Sequence, residues 1–171
     1  MRDRRGVSAA EFGMIAPILI LLYVGIAEIG TAVTVYRRTS SVAATAADLT
    51  AQVKTVSTAE LDDIITAASS ILTPYSVAPL ELVISSVIAD QNNIGKVSWS
   101  YAQQGTPRAV NSTYPVPLGL TEAGSSVIVA ELNYGFTPLL GLTTVFSPGA
   151  IEMERIFYAR PRRSLKVTKT D

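Results

Sequence analysis

The chain has 171 residues, 14 basic and 14 acidic side chains, a 48% hydrophobic share, and neither cysteine nor histidine. Those two absences exclude disulfides, thiolate metal sites, the commonest zinc sites, Cys-His nucleophiles and Ser-His-Asp triads. The length leaves room for one small domain beside a single membrane crossing.

The chain opens with Arg2, Arg4, Arg5 and Gly6, then turns almost wholly apolar from Met14 to Val35, with Glu28 the one interruption. A run of that length meets the roughly 20 residues a helix needs to cross about 30 Å of hydrocarbon. It is longer than the roughly 7 to 15 residues of a secretory signal core, and Ala27, Gly30 and Ala32 give no clean small-x-small cleavage site. Glu11 stands at the edge of the run, where a carboxylate needs a cation beside it. Cutting the chain after Gly6 makes Val7 the new terminus and Glu11 the fifth residue. Within the run, Gly25 and Gly30 allow a second helix to approach closely. Glu28 either faces protein or water inside the membrane or lies neutral near the outer interface, and both readings stand.

Basic leader, glycine, four residues, glutamate, aromatic residue and apolar helix resemble the type III signal of prepilins, here Arg4, Arg5, Gly6, Glu11 and Phe12. The early Pro17 and the run Gly25-Ile26-Ala27-Glu28-Ile29-Gly30 are similar to the TadE branch of tight-adherence pilus pseudopilins, although Phe12 stands where the nearest pseudopilins often carry tyrosine. The resemblance implies cleavage after Gly6 by a prepilin peptidase, which recognises Gly6, Arg4 and Arg5, and retention of the helix in the mature protein. On physical grounds Glu11 either sets register between subunits by pairing with a neighbour's amine at Val7, or sits in the headgroup region and pairs with lipid or Arg5. Implied partners are the peptidase, other pilins or pseudopilins, the pilus assembly platform and membrane lipid. The implied place is the bacterial inner membrane, single-pass, N-terminus in the cytoplasm and main domain in the periplasm, with incorporation into an extracellular pilus open. The short motifs Val97-Ser98-Trp99-Ser100 and Tyr158-Ala159-Arg160-Pro161-Arg162 look like the outer domain of alphaproteobacterial TadE-like proteins.

Beyond Tyr36 the residues Val35, Val42, Ala46, Leu49, Val53 and Val56 paint one apolar stripe on a helix that continues out of the membrane. Ser57-Thr58-Ala59-Glu60 reads as a capping box opening a second helix, with Leu61, Ile64, Ile65, Ala68, Ile71 and Leu72 as its apolar face and Pro74 as its stop. Asp62 and Asp63 lie in its first turn, where they favour the positive end of the helix dipole. From Leu80 the period changes to two, and with turn residues from Asp90 to Gly95 and alternation through Val97, Trp99 and Tyr101 this predicts a hairpin. Residues 103–124 read as an irregular excursion, Val127–Tyr134 as a strand, and Leu139–Phe146 as an apolar loop that covers the sheet edge or the long helix, or meets a partner. The last strand, Ile151–Tyr158, loses its alternation near Arg155, which suggests a bulge.

Charge divides along the chain. Between Thr39 and Glu154 only Lys54, Lys96 and Arg108 oppose an excess of acids, whereas Arg155, Arg160, Arg162, Arg163, Lys166 and Lys169 face Asp171 alone. An acidic body does not attract nucleic acid. The basic tail reads either as a contact to anionic lipid or an adjacent subunit's acidic body, or as a solvated, mobile end.

The expected fold is α+β and pilin-like: a leader (1–6), a transmembrane helix (7–36), an extracytoplasmic domain (37–160) with helical 37–73 and a small antiparallel sheet in 80–160, and a basic tail (161–171). The expected function is an interaction protein, a minor pilin or pseudopilin supporting pilus assembly, with no catalytic residues, metal, cofactor or small-molecule substrate. Two alternatives remain: an unprocessed single-pass scaffold whose outer domain binds another envelope protein, and a membrane-tethered enzyme using carboxylates.

Overall fold

The computed structural model of the chain describes residues 5–91, 94–117, 119–138 and 149–171. Arg4 and the earlier leader residues, Asn92 and Asn93 of the expected turn, and the apolar loop Leu139–Phe146 lie outside the described residues.

Helix α1 spans Arg5–Ala51, 47 residues without a break where the apolar run ends. At 1.5 Å per residue it is about 70 Å long. Its outer half packs on the sheet through small or β-branched residues, Val35, Thr39, Val42, Ala43, Ala46, Ala47 and Thr50, all buried. The alanines in that stripe let the helix axis come close to the strands, and each removes apolar area from water at little side-chain entropy cost. Val53 and Val56, expected on the same stripe, lie past the helix end; Val56 instead belongs to strand β1 (Thr55–Val56). Helix α2 (Thr58–Ser69) opens as the sequence predicts, with the Ser57 hydroxyl accepting from the Glu60 amide and the Glu60 carboxylate accepting from the Ser57 amide. Leu61, Ile65 and Ala68 bury its apolar face, and Leu72, expected on the same helix, is buried in the 3-10 turn Ser70–Leu72 that follows it.

The main sheet has five strands in the order β4-β3-β2-β5-β6. They are β2 (Leu80–Ala89), β3 (Gly95–Gln103), β4 (Thr113–Tyr114), β5 (Ser126–Phe136) and β6 (Ile151–Ala159), every pairing antiparallel. Its inner face, with Leu82, Ile84, Ile128, Ala130, Leu132 and Tyr134, meets α1 and α2 in the principal core. A second, smaller core of Val87, Val97, Tyr114, Val127 and Val129 lies on the outer face under residues 104–117.

The expected bulge in β6 is absent. Pairing with β5 runs in unbroken register from Ile128↔Ala159 to Phe136↔Ile151, and the one register shift among the described strands falls between Ser86 and Val87. The alternation fails at Arg155 because a cation occupies an inward position, level with Met153 and Ala159, and its guanidinium lies 3.4 Å from the centroid of the Tyr36 ring on α1.

The basic segment 161–171, read from sequence either as a contact to lipid or a neighbour or as a solvated end, straps the far end of its own domain. The Arg162 amide donates to the Ala51 carbonyl at 2.9 Å, satisfying one of the last carbonyls of α1, while its guanidinium pairs with Asp48. Strand β7 (Thr168–Lys169) runs parallel to β1, pairing Thr55↔Thr168 and Val56↔Lys169. Just before β7, Val167 is buried, and its carbonyl accepts the Trp99 indole N–H at 2.8 Å. Asp171 accepts the Thr58 amide at 2.9 Å at the start of α2.

Two outcomes are expected for the full chain in detergent. Val167→Ala empties a filled site and should lower unfolding stability by about 2 kcal/mol, read from denaturant unfolding followed by the fluorescence of Trp99. The second concerns Asp171. Desolvation pushes its carboxyl up, but the hydrogen bonds from Thr58 and the Lys169 ammonium outweigh this and hold it below its ordinary value of 3.8. A carboxylate depressed in the folded state stabilises above the unfolded value and loses that contribution as pH falls through the folded one. The stability gap between the parent chain and Asp171→Asn should therefore hold steady above about pH 5 and close below about pH 4, measured by unfolding at each pH.

Candidate functional site

The inner half of α1 is chemically unlike the rest of the chain. From Phe12 to Ile29 most of its large apolar side chains project away from the folded domain, with Met14 77% and Tyr23 75% exposed. The segment is long and apolar enough to cross a membrane. Its Leu, Ile, Phe and Val side chains, at about 0.3 to 0.6 kcal/mol each, together outweigh the about 3 kcal/mol cost of one carboxylate at mid-bilayer. The side-chain hydroxyls do not spoil it: Thr31 donates to the Ala27 carbonyl at 3.0 Å and Thr34 to Gly30 at 2.8 Å, so both are satisfied within the helix. Pro17 lies inside the helix and removes one backbone donor, which membrane helices tolerate.

The residues singled out in sequence occupy four settings on α1. Arg5, Gly6 and Val7 form its first turn, continuous with the apolar segment. Glu11 and Phe12 are exposed, and the Glu11 carboxylate has no hydrogen bond or ion pair among the described residues. A Cβ at Gly25 or Gly30 would meet nothing within 4 Å. These glycines are five positions apart, so they point about 140° from one another around a 3.6-residue helix and open toward different neighbours. Glu28 differs from its surroundings: it is only 6% exposed, in phase with Val35 and Val42 on the stripe that faces the domain. It is part of the junction between rod and head rather than a projection from the rod.

That junction is built from residues for which sequence reasoning predicted no such role. Arg155 stacks on Tyr36 and donates from Nη1 to the Glu154 carbonyl at 2.6 Å, while its Nε and Nη2 have no hydrogen-bond partner among the described residues. Arg38 donates to the carbonyls of Ile71, at 2.8 Å, and Thr73, and lies over the Tyr75 ring. Two arginines thus tie α1 to the sheet and to the end of the α2 region where the apolar segment begins. The adjacency Tyr36-Arg37-Arg38 after a long apolar run was the available signal for half of this; its partner in β6 is more than a hundred residues away.

On the outer face of the sheet a groove of about 600 Å³ runs beside residues 106–108. Arg108 forks onto Glu131 at 2.5 and 2.6 Å and lies over the Tyr114 ring. This hydrogen-bonded pairing raises the Arg108 guanidinium above its ordinary value. Burial first, and then hydrogen bonding with Tyr158, push the Tyr114 phenol up. Neither group is poised to move a proton near neutral pH. Among the described residues no three His, Cys, Asp or Glu side chains gather where they would hold a metal ion.

The contrast between open and crowded glycines gives a direct check. A Cβ at Gly95 would lie 2.7 Å from the Tyr114 carbonyl oxygen and 2.9 Å from a Val87 methyl. Gly95→Ala should cost about 1 to 3 kcal/mol, whereas Gly25→Ala and Gly30→Ala should leave the unfolding midpoint of the full chain in detergent unchanged.

Residues 6–48 match the family described as TadE-like protein. The match covers the rod and most of the stripe that docks it to the sheet, the part of the chain on which the sequence resemblance was strongest. Comparison with curated proteins and with solved structures gave no match.

Proposed function

Taking a TadE-like N-terminal segment as the premise, we infer that this chain is a pseudopilin-like subunit that supports assembly of a tight-adherence pilus. In this reading the apolar half of α1 holds the subunit in the inner membrane, with the N-terminus in the cytoplasm and the α+β domain in the periplasm. A prepilin peptidase removes residues 1–6, and the rod then packs laterally against rods of other pilins or pseudopilins on the assembly platform. No bond chemistry is assigned to the domain itself.

The observation that carries the reading is a bare apolar rod with an exposed Glu11 near its free end, joined to a folded head by one uninterrupted helix. A carboxylate at the margin of hydrocarbon is expensive alone and is offset by a cation brought alongside. The amine freed at Val7 of a neighbouring subunit supplies one. Water alone would not stabilise a rod with so many exposed Ile and Leu side chains, and lipid or other rods would.

Mass analysis of the chain recovered from native membranes should show a polypeptide beginning at Val7. Recovery with Met1 still present would turn the assignment toward an unprocessed single-pass scaffold. Replacing Glu11 by Val should leave membrane insertion intact and reduce incorporation into pili at least tenfold, counted by immunodetection of sheared filaments. Undiminished incorporation would remove Glu11 from the mechanism.

A further inference from the structure

Three of the five cations from Arg160 onward are already occupied. Arg160 donates to the carbonyls of Leu120 and Gly119, Arg162 pairs with Asp48, and Lys169 with Asp171. Arg163 and Lys166 are exposed, and their side chains have no ion-pair partner among the described residues. Between them projects Leu165, 77% exposed, an apolar side chain with a positive charge on either side.

The outer-face groove is the complement of that knob. Its floor is Val83 and Ile156, the latter 54% exposed. Pairing of β2, β5 and β6 sets Glu81, Asn133 and Glu154 in one row across the sheet and Val83, Glu131 and Ile156 in the next. Arg108 offsets Glu131, which leaves Glu81 and Glu154, without an ion-pair partner among the described residues, as negative charges beside the apolar floor. The Asn133 Oδ1 is buried and accepts no hydrogen bond from the described residues, so the row contains an acceptor in need of an N–H donor. Two negative charges, an orphan acceptor and an exposed isoleucine match two cations with N–H donors and an exposed leucine.

A chain cannot fill its own groove. The Leu165 carbonyl is held by the Ser126 amide at one end of β5, and Asn133 lies seven residues further along that strand, about 20 Å away. We propose that the Arg163–Lys166 segment of one copy docks into the groove of a second copy, Leu165 against Ile156 and the two cations against Glu81 and Glu154. The contact joins different surfaces of the two copies, so each copy can give its segment to one neighbour and receive the segment of another. The inference deepens the assembly reading, on which it rests, by naming a contact between heads.

The absence of cysteine from the chain makes the test clean. Two differently tagged full-length copies, one Ile156→Cys and one Leu165→Cys, are co-expressed in membranes and oxidised. A disulfide forms only when the two Cα atoms come within about 7 Å, so docking should give a species carrying both tags, at least tenfold above the yield from two Ile156→Cys copies. Adding Arg163→Glu and Lys166→Glu to the Leu165→Cys copy should reduce that species at least tenfold. Glu81→Lys and Glu154→Lys in the partner copy should restore it. Unchanged Trp99 fluorescence and unfolding midpoint identify the variants that keep the fold. A mixed species no more abundant than the control, or one indifferent to charge reversal in folded variants, overturns the contact. The groove then belongs to a basic segment of another protein or to none. If the chain begins at Val7 and Glu11→Val blocks assembly while no mixed species forms, the contact alone fails. If Met1 persists while the mixed species forms, the pilus reading alone fails.

Discussion

One continuous helix has to satisfy two surroundings. Its inner half presents Ile, Leu and Phe on all sides, and its outer half presents one stripe of alanine, valine and threonine to a sheet. No loop separates the two regimes, so the change of solvent is accommodated by side chains alone. The heaviest demand falls at the boundary, where Tyr36 and Arg38 meet Arg155 and the end of the α2 region. Guanidinium groups suit that place because their planar faces stack on aromatic rings while their edges reach carbonyl oxygens. The buried Glu28, in phase with the docking stripe, extends the junction about 12 Å further down the axis from Tyr36.

Features with a local cause were readable in the sequence. The apolar run, the Ser57–Glu60 capping box, the period of two from Leu80 and the strand at Val127 each depend on residues within a few positions of one another, and each is present as expected. What could not be read depends on contacts distant in sequence. Strands β1, β4 and β7 have two residues each and exist only because a remote segment pairs with them. Arg155 mimicked a bulge because its inward position is legitimate only with Tyr36 opposite. Glu28 gave no sign that it faces the head, since its seven-residue phase with Val35 becomes meaningful only once the outer helix is known to dock by that face.

The strap shows how a charge run can mislead. Six cations in the last 17 residues resemble a solvated end when counted along the chain. In space, three are consumed by Asp48, Asp171 and two backbone carbonyls, and the apolar Val167 fixes the segment against Trp99. The overall neutrality of the chain is therefore partly an intramolecular match, in which a basic strap closes over an acidic domain. It also puts a lid on the carbonyl end of α1, so the helix is secured at its boundary by arginines and at its far tip by backbone pairing.

The unbroken backbone between rod and head has a mechanical corollary. Each residue of an α-helix advances the axis by 1.5 Å and turns it by about 100°, and nothing between Pro17 and Ala51 offers a swivel. In the proposed assembly, any azimuth the rod adopts among its neighbours is therefore handed on to the head as by a rigid crank, and the surface of the head that looks outward is decided tens of ångströms away, by the side of the rod those neighbours grip.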